Sequence, residues 1–222
     1  MDNPWLQLPD GPPYVLPEDE KVISGYNCRL DRNDPRRVEL DILPEPFLGY
    51  HDSPVLVLLA NPGSDPGDRE MFGRQWVDKA NRESLRAPGG APIYSLAEEV
   101  ADTPGGGWWR SATKGLLAPG RDYSCLAQKI LVVEFHGYHS PKSSDLGDAL
   151  PSQRFAFWLV REAVKMRKVI IVASASRSWY RSVPALEDYP LKVTKNSPQN
   201  RALSAGNLGV DGFRVVSAAL GE

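Results

Sequence analysis

Six unbroken apolar residues, 55–60, are followed directly by Asn61, Pro62 and Gly63. An apolar run of this length that ends in turn residues predicts a buried strand. Such a strand lies in the middle of a core, so other elements of the chain must cover it. The polar residues that follow it therefore need an explanation of their own.

Three later segments also predict strands. They are the apolar run 130–133, the β-branched run 168–174 and the weakly alternating segment 189–196. Each is short and is bounded by polar or turn residues, as expected for strands of a buried sheet. Together with residues 55–60 they predict four strands.

The segments between these strands predict helices. Residues 69–85 are helical in pattern, and a second helix is expected near 93–101. The glycine-rich segment 103–117 predicts a flexible loop that leads into another helix, and 151–168 predicts a crossover helix. Alternating strands and helices are typical of a parallel α/β sheet. We therefore expect a three-layer sandwich with a central, mainly parallel four-stranded sheet flanked by helices.

The first part of the chain predicts a covering arm. Residues 1–53 are rich in proline and indicate a short strand or turn at 20–31 and an extended stretch at 42–50. A chain of 222 residues is long enough for one sizeable core. We therefore expect a single domain over residues 1–222, with 1–53 wrapped around it.

Composition limits the partners and cofactors that we expect. The acidic, proline-rich start does not resemble a signal peptide, and no apolar run reaches the roughly 18 residues of a membrane span, so we expect a soluble cytoplasmic protein without a membrane partner. Two cysteines and three irregularly spaced histidines give little support to a metal site, and we expect no metal and no cofactor.

Charge is distributed unevenly along the chain. The formal net charge is −2, yet residues 1–68 carry 5 basic against 13 acidic side chains, whereas 151–222 carry 11 against 5. This asymmetry predicts either a basic face built by the last third of the chain or scattered solvated cations.

Two short motifs at strand ends resemble a known family. The Asn-Pro-Gly turn at 61–63 and the Asn-Ser-Pro turn at 196–198 resemble the two signature motifs of the uracil-DNA glycosylase superfamily. The nearest branch is the mismatch-specific uracil/thymine glycosylases, and the resemblance covers residues 54–222. The chain also resembles uncharacterised bacterial proteins, a likeness that implies no activity.

The superfamily resemblance implies a monofunctional DNA glycosylase, which flips a uracil, mismatched or modified base into a pocket and hydrolyses its N-glycosidic bond. Asn61 would position the attacking water, and Asn196 and Ser197 would donate hydrogen bonds to the leaving base. Phe72 would stack against that base, or belong to the core. Asp65 or Asp68 would assist Asn61 if its carboxylate reaches the same water, and Asp65 is the one expected as a third catalytic group. The implied partner is DNA, single- or double-stranded, bound with moderate affinity by a monomer.

Glu134 departs from the family pattern, because many members read the base with an asparagine at the end of the second strand. A Glu at the end of a buried strand is costly unless it is paired. It therefore either pairs with Arg177 or reads a ligand. An ionised carboxylate only accepts hydrogen bonds, which would favour the amino group of cytosine or a modified cytosine.

Further side chains at the four strand ends are expected to contact the substrate, or to pack structurally in their loops. The full predicted set of substrate contacts is Pro62, Gly63, Phe72, Glu134, His136, Tyr138, His139, Arg177, Ser197, Gln199 and Asn200. Two other functions stay open: a noncatalytic nucleobase, nucleotide or nucleic-acid binding module, and a small-molecule hydrolase that uses Asp65, Asp68 and His139.

Overall fold

The computed structural model describes residues 1–86, 90–144, 146–147 and 149–221 and contains one mixed five-stranded sheet. Its strands are β1 Phe47–Leu48, β2 Val55–Leu59, β3 Ile130–Glu134, β4 Val169–Val172 and β5 Lys192–Thr194. They lie in the order β1-β3-β2-β4-β5. The pairs β2–β3, β2–β4 and β4–β5 are parallel, whereas β1 is antiparallel to β3. The predicted α/β class is confirmed, with a fifth strand contributed by the arm.

Helices flank this sheet. They are α1 Glu20–Asn27, α2 Asp68–Phe72, α3 Gln75–Arg86, α4 Pro104–Thr113, α5 Tyr123–Lys129, α6 Gln153–Lys165, α7 Ser176–Ser182, α8 Ala205–Leu208 and α9 Val210–Leu220. Short 3-10 turns occur at Pro4–Gln7, Tyr94–Leu96, Glu98–Val100, Lys114–Leu116 and Pro184–Leu186. Within the described ranges, no helix combines the length and the apolar character needed to cross a bilayer.

Two apolar clusters lie on opposite faces of the sheet. Successive side chains of β2 alternate between them: Leu56 and Leu58 belong to one cluster, and Val55 and Val57 to the other. The first cluster also contains side chains of α1 and α6, and the second contains side chains of α4, α5 and α9. The unbroken apolar run of β2 follows from this arrangement, because both faces of the central strand are buried.

The arm differs from its prediction in two respects. Residues 20–31 contain the helix α1, not a strand or turn, because Ile23 and Tyr26 recur at helical spacing and are both buried. The extended stretch 42–50 does more than cover the sheet: Glu45 N donates to Gly137 O at 2.8 Å, and residues 47–48 pair with β3. The arm is therefore part of the sheet.

The glycine-rich segment 103–117 also differs from its prediction, because it forms the helix α4 instead of a flexible loop. Thr103 caps this helix by accepting a hydrogen bond from Gly106 N at 3.1 Å, and Pro104 occupies its first turn. Gly106 is required where the helix meets the Val100 carbonyl, because a Cβ atom there would lie 1.8 Å from the Val100 oxygen. The helix expected near 93–101 is two separate 3-10 turns.

Candidate functional site

One pocket of about 740 Å³ opens beyond the carboxyl ends of the parallel strands. Its wall includes residues that follow β2, β3, β4 and β5, together with residues of α2 and α4. Seven predicted site residues line it, namely Asn61, Pro62, Gly63, Asp65, Phe72, Glu134 and Gln199. This strand-end pocket lies where the topology of a parallel sheet places ligands.

The loop after β2 is held beside the loop after β3 by backbone hydrogen bonds. Phe135 N donates to Leu59 O at 3.0 Å and Ser140 N donates to Pro62 O at 3.3 Å, so the parallel pairing continues past the strands. The Asn61 amide nitrogen donates to Pro62 O and to Ser140 Oγ, both at 2.9 Å. Because these two bonds use both amide hydrogens, the Asn61 oxygen is the atom left to accept a hydrogen bond.

Asp68 ties this loop to the start of α4. Its carboxylate accepts hydrogen bonds from Asp65 N at 2.9 Å and from Gly105 N at 2.8 Å. Burial is the main cause that raises the pKa of Asp68, and the two backbone hydrogen bonds oppose it. Asp65 is exposed, accepts a hydrogen bond from Gly67 N and lines the pocket. Asp68 is thus a structural link, whereas Asp65 is open to a ligand.

Glu134 is buried at the end of β3 and lines the pocket. Its Oε2 atom is buried without a hydrogen-bond partner, and Arg177, which is exposed, makes no ion pair with it among the described residues. Burial first, and the charge of Glu45 second, raise the pKa of Glu134 well above its ordinary value. The pairing with Arg177 that the sequence left open is therefore absent from the described part of the chain, and Glu134 faces the pocket.

Glu45 is a second carboxyl in this pocket, partly buried, and it was missed by sequence reasoning because it lies in the arm. The Tyr94 hydroxyl donates a hydrogen bond to its Oε1 atom. Its Oε2 atom lies 3.6 Å from His139 Nε2, with the Glu45 side chain only 11% exposed. Burial first, and the charge of Asp68 second, raise the pKa of Glu45 to about 8. A carboxyl between Pro44 and Pro46 in an otherwise apolar stretch was the available signal.

His139 lies behind the pocket wall, packed among these groups. Its Nδ1 atom is 2.7 Å from Gly63 O, and because a carbonyl only accepts, Nδ1 must carry the hydrogen. Burial lowers the pKa of His139 against smaller opposing effects of Gly63, Glu39 and the Leu43 carbonyl. The neutral ring therefore presents the lone pair of Nε2 on its other side.

Two aromatic side chains form part of the pocket wall. Phe72 is half-buried and contacts His139 edge-on, with ring centroids 5.1 Å apart. Trp108 is also half-buried and meets Trp109 at a centroid distance of 4.9 Å. The sequence left open whether Phe72 belongs to the core or to the site; it packs against one apolar cluster and also lines the pocket.

The loop after β5 presents a residue other than the predicted one. Asn196 is exposed and its amide donates to Gly206 O at 3.3 Å, whereas the preceding residue, Lys195, is buried and lines the pocket. Neighbouring side chains of an extended segment point to opposite sides, so only one of the two can face the pocket. Burial lowers the pKa of Lys195.

Asn207 organises this loop and was also missed. Its oxygen accepts a hydrogen bond from Ser197 N at 2.9 Å, and its amide donates to Asn200 O at 2.8 Å and Ala202 O at 2.9 Å. The side chain is buried, so one amide satisfies three backbone groups of the loop. Ser197 and Asn200 take part through their backbone and are not among the pocket-lining residues.

Three other predicted contacts lie outside the pocket lining. Tyr138 is buried, donates to Asp19 Oδ2 at 2.8 Å and accepts from Leu16 N at 3.1 Å, so it anchors the arm. His136 is buried with Nε2 at 2.7 Å from Ser144 Oγ, and burial lowers its pKa to about 3. Arg177 is exposed on α7.

Within the described residues, no group of three or more His, Cys, Asp or Glu side chains is arranged to hold a metal ion. Among the groups that line the pocket are the Asn61 amide, two carboxyls, a lysine and two aromatic rings, namely those of Glu45, Glu134, Lys195, Phe72 and Trp108. When the chain is compared with protein-family models, curated proteins and solved structures, it matches none of them.

Proposed function

We propose that this protein is a DNA glycosylase-like enzyme, which accepts an extruded uracil, mismatched or modified base in the strand-end pocket and hydrolyses its N-glycosidic bond. The observation that carries the proposal is that Asn61, Glu134 and Phe72, which come from three separate segments, line one pocket. The uracil-DNA glycosylase-like fold is part of the same proposal, supported by parallel strands in the order β3-β2-β4-β5.

The size and position of the pocket suit an extruded nucleotide. Pockets for small molecules typically measure about 300–1,000 Å³, and this one measures about 740 Å³. Phe72 and Trp108 offer ring faces or edges to a planar base, as enzymes that flip bases require.

The bond cleavage requires a held water molecule and stabilisation of the leaving base. Asn61 accepts a hydrogen bond from the water through its free amide oxygen, although an amide does not remove a proton efficiently. Asp65, the exposed carboxylate on the same wall, is the group available to assist. Slow turnover is the expected consequence.

Lys195 lines the pocket where Asn196 was expected. The leaving base gains negative charge as its bond to the sugar breaks, and a cation aimed at it lowers the barrier. Lys195 also shares the pocket wall with Arg201, and together they provide positive charge for the DNA backbone. This arrangement favours DNA as the partner.

The test is cleavage of labelled single- and double-stranded oligonucleotides that carry uracil, G·U or G·T mismatches or modified cytosines, followed by alkali to break abasic sites. Asn61→Ala is expected to lower the rate by about 10²-fold or more, by analogy with loss of one preorganised polar group. Gln128→Ala, which changes an exposed amide just before β3 at the opposite end of the sheet, is the matched control. Absence of strand breaks with every base, by folded protein, would refute the enzyme.

A noncatalytic binding module is the second candidate function. Two features of the pocket favour it. The group at residue 61 is an amide, which removes a proton poorly, and Asn196 lies outside the pocket lining. In that case Asn61→Ala would weaken binding of the same oligonucleotides while neither variant nor parent protein cleaves them.

A further inference from the structure

The buried Glu134 and the partly buried Glu45 of the strand-end pocket come from segments that are distant in the chain but joined by backbone hydrogen bonds. Glu134 N donates to Pro46 O at 3.0 Å, and Glu45 N donates to Gly137 O at 2.8 Å. These bonds belong to the antiparallel contact between the arm and β3. Because these bonds fix both backbones, the two carboxyls belong to the same pocket wall, where a negative charge on Glu45 disfavours one on Glu134.

We propose, on the basis of the nucleobase site described above, that Glu45 and Glu134 form a protonated carboxyl pair, in which Glu45 keeps its hydrogen on the oxygen that faces His139 while Glu134 offers a neutral acid group to the base. Glu134 is then a specificity-determining residue, and Glu45 is a positioning residue that acts through it. The substrate class is a base whose edge has a hydrogen-bond donor next to an acceptor.

The neighbours of Glu45 favour its neutral form. Tyr94 donates to Oε1, so that atom behaves as the carbonyl oxygen. Oε2 lies 3.6 Å from His139 Nε2, which carries a lone pair because Nδ1 holds the ring hydrogen against Gly63 O. Two lone pairs would repel each other there, whereas a hydrogen on Oε2 points at an acceptor. The separation is slightly beyond hydrogen-bond length.

The surroundings of Glu134 also disfavour an ionised carboxylate. Its Oε2 atom is buried and has no partner among the described residues. A buried charge without a partner is costly, and a second carboxyl nearby adds to that cost. Lys195 and Arg201 line the same pocket, but neither forms an ion pair with Glu134 within the described ranges.

Several titratable groups surround this pair. The loop after β3 supplies His136 and His139. The helices and the remaining loops supply Asp65, Asp68, Tyr94, Lys195 and Arg201. Burial lowers the pKa of both histidines, so they are uncharged at neutral pH. Asp68 opposes ionisation of Glu45 by its own charge.

The protonation state decides what Glu134 recognises. A neutral carboxylic acid donates through its hydroxyl and accepts through its carbonyl, as a side-chain amide does, whereas a carboxylate only accepts. Cytosine, uracil and their modified forms all present a donor beside an acceptor on the edge that pairs in DNA. The preference for the amino group of cytosine that we expected from the sequence assumed an ionised Glu134. A protonated Glu134 can instead bind both cytosine-like and uracil-like bases.

The first measurement is a pH titration of the glutamate carboxyl carbons by NMR in ¹³C-labelled protein. We expect two glutamates with titration midpoints above pH 7, one of which disappears in Glu45→Gln and the other in Glu134→Gln. In Glu45→Gln the midpoint of Glu134 should also move down, because a neighbouring carboxyl is removed. Glu187→Gln, an exposed glutamate in another loop, should change neither signal. A midpoint below pH 7 for either pocket glutamate would overturn the proposal.

The second measurement is calorimetric binding of cytosine, 5-methylcytosine, uracil and benzamidine at pH 7. Glu134→Gln keeps a donor beside an acceptor, so we expect its affinity for the bases to stay within about threefold of the parent protein. Benzamidine, which offers two donors and a positive charge, should not bind. Loss of base binding in folded Glu134→Gln together with benzamidine binding by the parent would show a carboxylate and overturn the proposal.

The two measurements separate this inference from the proposed function. If both glutamates titrate above pH 7 and no base binds the parent protein, the nucleobase function is refuted. The role of Glu134 in recognising the base is then refuted as well. If bases bind and the pocket glutamates are ionised at pH 7, the function survives and only the carboxyl pair is refuted.

Discussion

At the residue scale, the pocket and the residues directly behind its wall include four groups whose charge is suppressed by burial. Glu45 and Glu134 have a raised pKa and His136 and His139 a lowered one, with burial as the main cause in each case. Such clusters of shifted groups in a cleft are typical of functional sites, although structural networks shift pKa values too. Sequence reasoning predicted Glu134, His136 and His139 as substrate contacts, and of these only Glu134 lines the pocket. It missed Glu45, because a single polar residue in an arm has no periodicity.

The pKa of Glu45 predicts how stability depends on pH. The folded protein binds this proton more tightly than the unfolded chain, so unfolding free energy falls as pH rises from 4.5 towards about 8. The buried histidines act in the opposite sense, but only below their ordinary pKa of 6.5. Between pH 6.5 and about 8 we expect the ionisation of Glu45 to lower the free energy of unfolding by about 2 kcal/mol, at about 1.4 kcal/mol per pH unit.

Urea unfolding at pH 6.5, 7.2 and 8 measures this loss. Glu45→Gln should reduce the loss and Glu187→Gln should leave it unchanged. Equal pH dependence in all three proteins would mean that Glu45 is already ionised at pH 6.5.

At the element scale, α4 shows why a glycine-rich segment is not necessarily a loop. Glycine, proline and threonine around 103–107 match the turn pattern, yet Thr103 caps a helix whose glycines permit close contact. The sequence alone contains both possibilities, since turn residues also begin helices. Packing against the Val100 carbonyl, which is set by tertiary contacts, selects the helix.

Two neighbouring glycines of α4 make a matched pair of variants. Gly106→Ala places a methyl group 1.8 Å from Val100 O and should destabilise the protein by about 1–3 kcal/mol. In Gly107→Ala the methyl group lies 3.9 Å from Ala101 O, so the helix should gain about 0.5–1 kcal/mol instead. Denaturant unfolding with circular dichroism measures both changes. Similar effects of the two substitutions would contradict the tight contact at Gly106.

At the scale of the whole molecule, the arm is joined to the central layers by a buried polar network. Asp19 accepts hydrogen bonds from Tyr138 Oη at 2.8 Å and from Ser152 N at 3.1 Å, and Tyr138 accepts from Leu16 N. These contacts connect the arm with the loop after β3 and with the start of α6. The same loop carries His139 behind the pocket wall, so these hydrogen bonds hold both the arm and this part of the wall in place.

Tyr138→Phe tests this coupling. The substitution removes the hydrogen bonds of Tyr138 to Asp19 Oδ2 and Leu16 N, which should cost about 1–3 kcal/mol. Hydrogen exchange should accelerate in the arm and in the segment 134–140. Tyr180→Phe removes an exposed hydroxyl that pairs with Thr194 and should have little effect on either region. Unchanged exchange in the arm would show that it is held by apolar packing alone.

The sequence by itself determined the α/β class, the crossover helix α6 and the position of Asn61 just after β2. These features depend on local periodicity, because burial on one or both faces leaves a repeating apolar pattern. Only the tertiary structure placed Glu45 beside Glu134, turned Lys195 rather than Asn196 towards the pocket and folded 103–113 into a helix. Each of these depends on pairing or close packing between segments that are separated in the chain, and such contacts leave no periodic pattern within either segment.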